Sequence, residues 1–269
     1  MNRNRTVVRR FRSGDVDALE RIALAAYGYP MSPGMRARLA GDHATLVAER
    51  GDTVVGCVLL ADYGAVGYVG SMAVDPGVHR SGAGTALMEA LIALAAQSGI
   101  ESLALDATEM GAPLYERFGF LEIDRTLVLE RRATPSATSL RSPDESSFER
   151  LVELDRELLG CDRKAALSML ASEQNVTVSL DPRGYAMTRA DVLGPWLASS
   201  PEAAARLLRA ASQASPGIRR MFVPEMNGAA LSIADMEGYR RTRSLRHMVR
   251  GSPVLPRMRI FGQASLGHG

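Results

Sequence analysis

The stretch Val74–Leu87, VDPGVHRSGAGTAL, decides how the rest of this chain is read. An apolar run ends at Val74, Asp75-Pro76-Gly77 signals a turn, and Gly82 and Gly84 precede a long apolar segment. The pattern predicts a strand, a glycine-rich loop and a helix that starts on that loop. The two glycines let the backbone turn tightly and present successive N–H groups. Those amides, with the positive end of the helix dipole behind them, make a site for a phosphate-like anion. Arg80 adds a positive charge, and Ser81 and Thr85 add hydroxyl donors. No lysine follows Gly84, which excludes a P-loop, and Leu87 stands where a dinucleotide fingerprint needs a third glycine.

Composition sets the outer bounds. The chain has 269 residues, 46% of them hydrophobic, and a net charge of +2. That length suits one large or two ordinary domains, with ample apolar material for a core. The basic residues are arginines apart from Lys164. Cys57 and Cys161 lie far apart without metal-ligand spacing, so free thiols in a reducing compartment are expected, and no metal site. No apolar run reaches membrane-spanning length and the N-terminus lacks a signal-peptide core, so a cytoplasmic protein with no membrane partner is expected.

Upstream of the loop, Thr6–Phe11 reads as a strand. Asp15 is placed to cap a helix running to Tyr27, with Val16, Leu19, Ile22, Ala23 and Ala26 on one face. A second short helix fits Met35–Ala40. Thr45–Arg50 and Thr53–Leu60 form a hairpin across Gly51-Asp52, and Tyr68–Val74 leads into the loop. Downstream, Thr85–Gln97 is apolar nearly all round and predicts a buried helix stopped at Gly99. Ile100–Ala107 is a strand, Pro113 opens a short helix that Gly119 closes, and Phe120–Glu130 is a final strand.

The pattern V-x-P-x-x-H-R-x-G-x-G-x-A-L, followed by APLYERFGF at Ala112–Phe120, resembles the GNAT acetyltransferase superfamily. The resemblance covers roughly residues 6–131. It implies an α+β fold with a mixed, splayed sheet flanked by helices, and acetyl-CoA as co-substrate. In that family (Q/R)-x-x-G-x-(G/A) binds the pyrophosphate. Here His79, Arg80, Ser81, Gly82, Ala83, Gly84 and Thr85 take that place, with His79 where Gln or Arg is usual. The resemblance also assigns backbone groups of Met72, Ala73 and Val74 to the pantetheine arm, with one N–H facing the thioester oxygen. Losing such a donor costs roughly 3 kcal/mol of barrier. Tyr115 becomes the general acid for the departing thiolate, Thr108 replaces a frequent pantetheine-binding Asn, and Tyr27, Tyr29 and Met31 border the acceptor.

The general base is open. Asp106 alternates to the face opposite Leu103 and Leu105 and is expected to point toward the cleft. Glu49, Asp75 and Glu109 are weaker candidates, and a water chain or a neutral acceptor needs no base. Retention of Tyr115 favours an enzyme over the alternative, a non-catalytic acyl-CoA-binding sensor or scaffold. The resemblance implies direct attack by an amine of a small molecule or peptide, and the two-part layout resembles bacterial tandem GNAT proteins. No motif encodes the acceptor or the oligomeric state.

Residues 1–132 form the expected acetyl-CoA-binding domain, 133–147 a Ser/Pro-rich linker, 148–252 a degenerate GNAT-like domain and 253–269 a tail. Helices are expected over Phe148–Leu159, Lys164–Glu173, 200–214 and Ala229–Glu237, with strands between them. Gly238-Tyr239 mirrors Gly119-Phe120, which places Ala234 at the position of Tyr115 and Asn227 at that of Thr108. The counterpart of the glycine-rich loop, Ser199-Ser200-Pro201-Glu202, has no glycine. Glu202 would sit at the positive helix end and repel phosphate. After Glu237 the chain carries seven arginines and no acid. Only Tyr239 and Phe261 could stack on bases, so a solvated strand with a frayed end is expected there, not nucleic-acid binding.

Overall fold

The computed structural model describes residues 5–28, 31, 36, 44–78, 80–132, 144–173 and 175–269. Tyr29, His79, most of the second short helix and most of the 133–147 linker lie outside them. The first half runs β1 (Thr6–Arg10), α1 (Val16–Tyr27), β2 (Ala44–Arg50), β3 (Thr53–Asp62), β4 (Val66–Val74), α2 (Ala83–Gln97), β5 (Ser102–Ala107), α3 (Ala112–Glu116) and β6 (Leu121–Glu130). The second half runs α4 (Glu145–Leu159), α5 (Lys164–Ala171), β7 (Val176–Asp181), β8 (Gly184–Arg189), β9 (Val192–Ala198), α6 (Pro201–Ala214), β10 (Arg220–Pro224), α7 (Gly228–Met236), β11 (Arg240–Gly251) and β12 (Ile260–Gly262).

All twelve strands belong to one mixed sheet of order β1-β2-β3-β4-β5-β11-β6-β10-β9-β8-β7, with β12 on β9. The two halves exchange their last long strands. β11 hydrogen-bonds to β5 of the first half, from Arg246↔Ala107 to Gly251↔Ser102. β6 pairs with β10 of the second half, from Arg220↔Glu130 to Pro224↔Thr126. The exchanged strands then pair antiparallel with each other from Arg240↔Glu130 to Val249↔Leu121. Side chains follow the backbone across. Met248 of β11 is buried in the first-half core with Leu87, Leu91 and Tyr115. Leu127 and Leu129 of β6 are buried in the second-half core with Trp196 and Leu207.

Several local expectations change. Asp15 precedes α1, but its carboxylate accepts from Arg9 and from Arg12 N instead of from the helix. α2 buries one face only, through Ala83, Leu87, Met88, Leu91 and Ala95, because its many alanines tolerate the outer side. The arginine-rich end is not frayed: Arg240, Arg241, Arg243, Arg250 and Arg259 are exposed, as a solvated strand requires, but Arg257 is buried. β11 lies mid-sheet, and Ile260, Phe261, Gln263, Ala264 and His268 are buried. Both cysteines are free, and burial pushes the Cys57 thiol up to about 12. Among the described residues no helix is long and apolar enough to cross a membrane, and no cluster of three or more His, Cys, Asp or Glu could hold a metal.

The exchange should make the halves unfold together. Met248→Ala, in the first core, should cost about 2–5 kcal/mol. The midpoint followed by Trp196 fluorescence, which reports the second core, should shift as far as the midpoint followed by circular dichroism. Separated midpoints would show that the halves melt independently.

Candidate active site

The glycine-rich loop joins β4 to α2. Gly82 is the N-cap of α2 in the left-handed conformation, at φ 84, and no side chain caps the helix. The backbone bond from Ala86 N to Gly82 O closes the first turn, so the amides of Ala83, Gly84 and Thr85 precede the helical ladder. Ser81 Oγ is buried with no hydrogen-bond partner, and Arg80 is exposed beside it. Arg117, just past α3, donates from Nη2 to Thr85 Oγ1 at 3.3 Å and adds a second cation at the helix start. Uncapped amides, an orphaned hydroxyl and two guanidiniums fit a pyrophosphate.

The strands open beside this loop. β4 and β5 pair in parallel only at Val66↔Ser102, Gly67↔Leu103 and Tyr68↔Ala104. On its other side β4 continues with β3 past a bulge, where Leu59 faces Gly70 and Cys57 faces Ala73. Ser71, inside the bulge, has φ 51. Ala73 and Val74 are therefore held by β3 on one edge, Met72 lies in the bulge, and none of the three pairs with β5 on the other edge. Tyr27 of α1 donates its hydroxyl to Met72 O at 2.9 Å. Tyr115 of α3 packs edge-to-face on Phe120, with ring centroids 5.9 Å apart, and is 8% exposed. Burial raises its pKa above the usual phenol value, so it stays protonated near neutrality. Thr108 Oγ1 accepts from Gly111 N at 3.1 Å, which commits its acceptor side to the start of α3.

Asp106 does lie on the face opposite Leu103 and Leu105, but it does not open onto the cleft. Its carboxylate is fully buried and accepts from Tyr68 Oη at 2.7 Å, Thr126 Oγ1 at 2.6 Å and Gln263 Nε2 at 3.1 Å, with His247 Nδ1 at 3.1 Å. Burial alone would raise its pKa. The bond and charge of His247, the charge of Arg257 and the bond from Thr126 outweigh that and hold it below the ordinary carboxylate value. This is a structural anchor tying β4, β5, β6, β11 and the tail, not an accessible base. The weaker candidates are also engaged: Glu49 with Arg9, Asp75 with Arg21, and Glu109 with Arg125 at 3.0 Å.

The second half repeats the frame and loses the site. Phe120 N bonds Tyr115 O at 3.2 Å, and Tyr239 N bonds Ala234 O at 3.0 Å, so Ala234 does stand at the place of Tyr115. At the start of α6 the Ser200 side chain accepts from Ala203 N, and Glu202 follows in the first turn. The helix end is thus capped by its own chain. β9 and β10 pair in parallel only at Val192↔Arg220 and Leu193↔Met221, then part. Into that opening the chain inserts β12, with Ile260 opposite Leu197 and Gly262 opposite Trp196. Gln263 N then bonds Phe222 O of β10 at 2.7 Å. Asn227 Nδ2 donates to Met258 O at 3.2 Å and to Ile260 O at 2.9 Å, holding the insert.

Sequence reasoning missed Arg117, the Ser71 bulge and the β12 insert. Arg117 was visible in the APLYERFGF segment. The bulge and the insert leave no mark in an apolar run.

Two different GNAT family models match this chain: the acetyltransferase (GNAT) family over residues 16–120 and the acetyltransferase (GNAT) domain over 151–262. Together they span most of the chain, which belongs to the GNAT acetyltransferase superfamily as two domains in tandem. A curated relative, glucosamine 6-phosphate N-acetyltransferase of Trypanosoma brucei brucei, is 33% identical over 66 residues, 24% of this chain and 45% of the relative. The chain thus spans about half the length of that relative. Among solved structures, an acetyltransferase candidate from Pyrococcus horikoshii superimposes with a TM-score of 0.83 at 22% identity, covering 98% of this chain and 96% of that one. A tandem GNAT protein from the clavulanic acid biosynthesis pathway matches at a TM-score of 0.60 and 16% identity, over 93% and 100% of the two chains. These likenesses show a shared fold.

Removing the buried anchor should be costly. Asp106→Asn leaves His247 without its carboxylate, while Arg257 keeps Asp124, and should destabilise by about 3–5 kcal/mol at pH 7. The depressed pKa stabilises the fold fully above the unfolded value of about 4, and that contribution is lost as the pH falls toward the lower folded value. Urea melts between pH 7 and 3 should therefore show a shallower acid decline for Asp106→Asn than for wild type.

Proposed function

We propose that the first cleft binds acetyl-CoA and transfers its acetyl group to an amine of a small molecule or peptide by direct attack. One observation carries the reading: an unpaired stretch of β4 runs straight into an uncapped helix start, with a buried, protonated phenol on the neighbouring short helix. The amides of Ala83–Thr85 with Arg80, Ser81 and Arg117 hold the pyrophosphate, and His79 belongs to the same loop. Backbone groups of Met72–Val74 pair with the pantetheine arm, and an N–H at the bulge polarises the thioester carbonyl. Tyr115, kept neutral by its apolar setting, donates its proton to the departing thiolate. Thr108 offers its one hydroxyl proton to the arm.

Tyr27 fixes the β4 backbone through Met72 O, and with Tyr29 it borders the acceptor. With Asp106 buried and the other carboxylates engaged, the amine's proton leaves through water. The second half binds no CoA, because its helix end is self-capped and its cleft holds β12. The name of the curated relative supports placing a phosphorylated amino sugar first among amines to test.

Calorimetry with acetyl-CoA should give one site per chain. Tyr115→Phe should lower thiol release by about 10²–10⁴-fold while leaving acetyl-CoA affinity unchanged. Glucosamine 6-phosphate, spermidine and an alanine-led peptide form the first panel. Equal turnover by Tyr115→Phe would remove the acid assignment. Binding without thiol release from any amine would leave an acyl-CoA sensor.

A further inference from the structure

The stretch after β12 crosses the sheet and ends against the first cleft. Gln263, at the exit of the second cleft, donates from Nε2 to Tyr68 Oη at 3.0 Å and to Asp106 at 3.1 Å, and its Oε1 lies 2.7 Å from Thr126 Oγ1. Arg189 donates to Ala264 O. The segment then turns back on itself, with Ala264 N bonded to Gly269 O at 3.0 Å. Tyr63 donates to His268 O at 2.9 Å and Arg163 to Gly269 O at 3.1 Å. It also lies close against the bulge of β4. A Cβ on Gly70 would lie 2.6 Å from Gly267 O and 2.8 Å from Gly267 Cα. A Cβ on Gly269 would lie 2.6 Å from the Tyr68 ring.

The side of the sheet matters. Tyr115, Met72 and Val74 pack with α2 in one core, and that core closes the first face of the opening. Tyr63, Tyr68 and Ala73 pack with α1 on the other face. Both faces are lined by buried side chains, and what sets the second apart is the partly exposed run Ser265–Gly267 beside Gly70. There the 263–269 segment lies on Gly70, directly before the Ser71 bulge. His268 and Gly269 are buried, but Ser265, Leu266 and Gly267 keep partial exposure.

We infer that Ser265–Gly267 forms the acceptor-side wall of the first cleft, with Leu266 as its apolar lining, held in place because β12 fills the second cleft. The inference rests on the acetyl-CoA reading of the first cleft and assigns the degenerate half a task there. It limits access to the thioester and selects the acceptor. Gly70 is small because the wall touches β4 backbone to backbone. An acceptor enters between this wall and the Tyr27 end of α1.

A small nucleophile tests the wall without knowledge of the natural acceptor. Acetyl-CoA held by excess protein is treated with hydroxylamine, and thiol release is followed for wild type, Gly70→Ala, Gly269→Ala and Leu266→Ala. Gly217→Ala, where an added Cβ meets nothing within 4 Å, is the control. Calorimetry and thermal melts come first. The expected result is that Gly70→Ala and Gly269→Ala release thiol faster than wild type, because the added methyl pushes the wall away from the thioester. Leu266→Ala should move the same way, acetyl-CoA affinity should hold, and Gly217→Ala should match wild type. Leu266→Ala removes no backbone contact, so it serves alone if the glycine variants do not fold. Wild-type rates in folded variants would overturn the inference. So would a loss of acetyl-CoA affinity that accounts for the altered rate. Wild-type protein that binds no acetyl-CoA would overturn the cleft reading and the wall together, and calorimetry shows this before hydroxylamine is added.

Discussion

The antiparallel ladder between Leu121–Glu130 and Arg240–Gly251 couples both halves of this protein, because each strand leaves the half that precedes it in sequence and fills the core of the other. A strand at the edge of a sheet exposes a row of amides and carbonyls that must be paired or covered. The exchange pairs both strands on both sides and leaves no edge at the junction. It also sets the distance between the two splayed openings, because β5 and β10 flank the exchanged pair.

Each half builds the same opening from the same geometry: two parallel strands that separate, a helix start beside one and a short helix after the other. What differs is the occupant. In the first half the helix start has no capping side chain, and a glycine in the left-handed region turns the chain so that amides face outward. In the second half Ser200 and β12 satisfy the corresponding groups from within. Buried backbone donors and acceptors require partners. In the second opening β12, bonded by Asn227, meets that requirement from within the chain.

Two buried ionic networks flank the junction. Asp106 with His247, Tyr68, Thr126 and Gln263 lies beneath the tail. Asp155 with Arg163 at 2.6 Å and Tyr185 at 2.5 Å lies under α4 and reaches the tail through Arg163. Buried charges are tolerated only when every lone pair and proton is matched. Both networks bond the tail, through Gln263 and through Gly269 O, and so tie it across the sheet at two points.

Local pattern alone carried the loop–helix signal at Gly82–Gly84, the hairpin at Gly51-Asp52, the short helix bearing Tyr115 and the repeat that aligns Ala234 with it. Each is written in residues close together, through periodicity, turn chemistry or a cap. The N-cap at Ser200 was readable for the same reason. The orientation of Asp106 was half readable. Alternation assigned its face, but the groups that enclose it, His247 and Gln263, lie more than a hundred residues away. The strand exchange, the β12 insert and the burial of residues 260–264 were decided by tertiary structure alone. A strand's period states which side chains share a face and says nothing about which neighbour its backbone will meet, and that choice rests on contacts between distant segments.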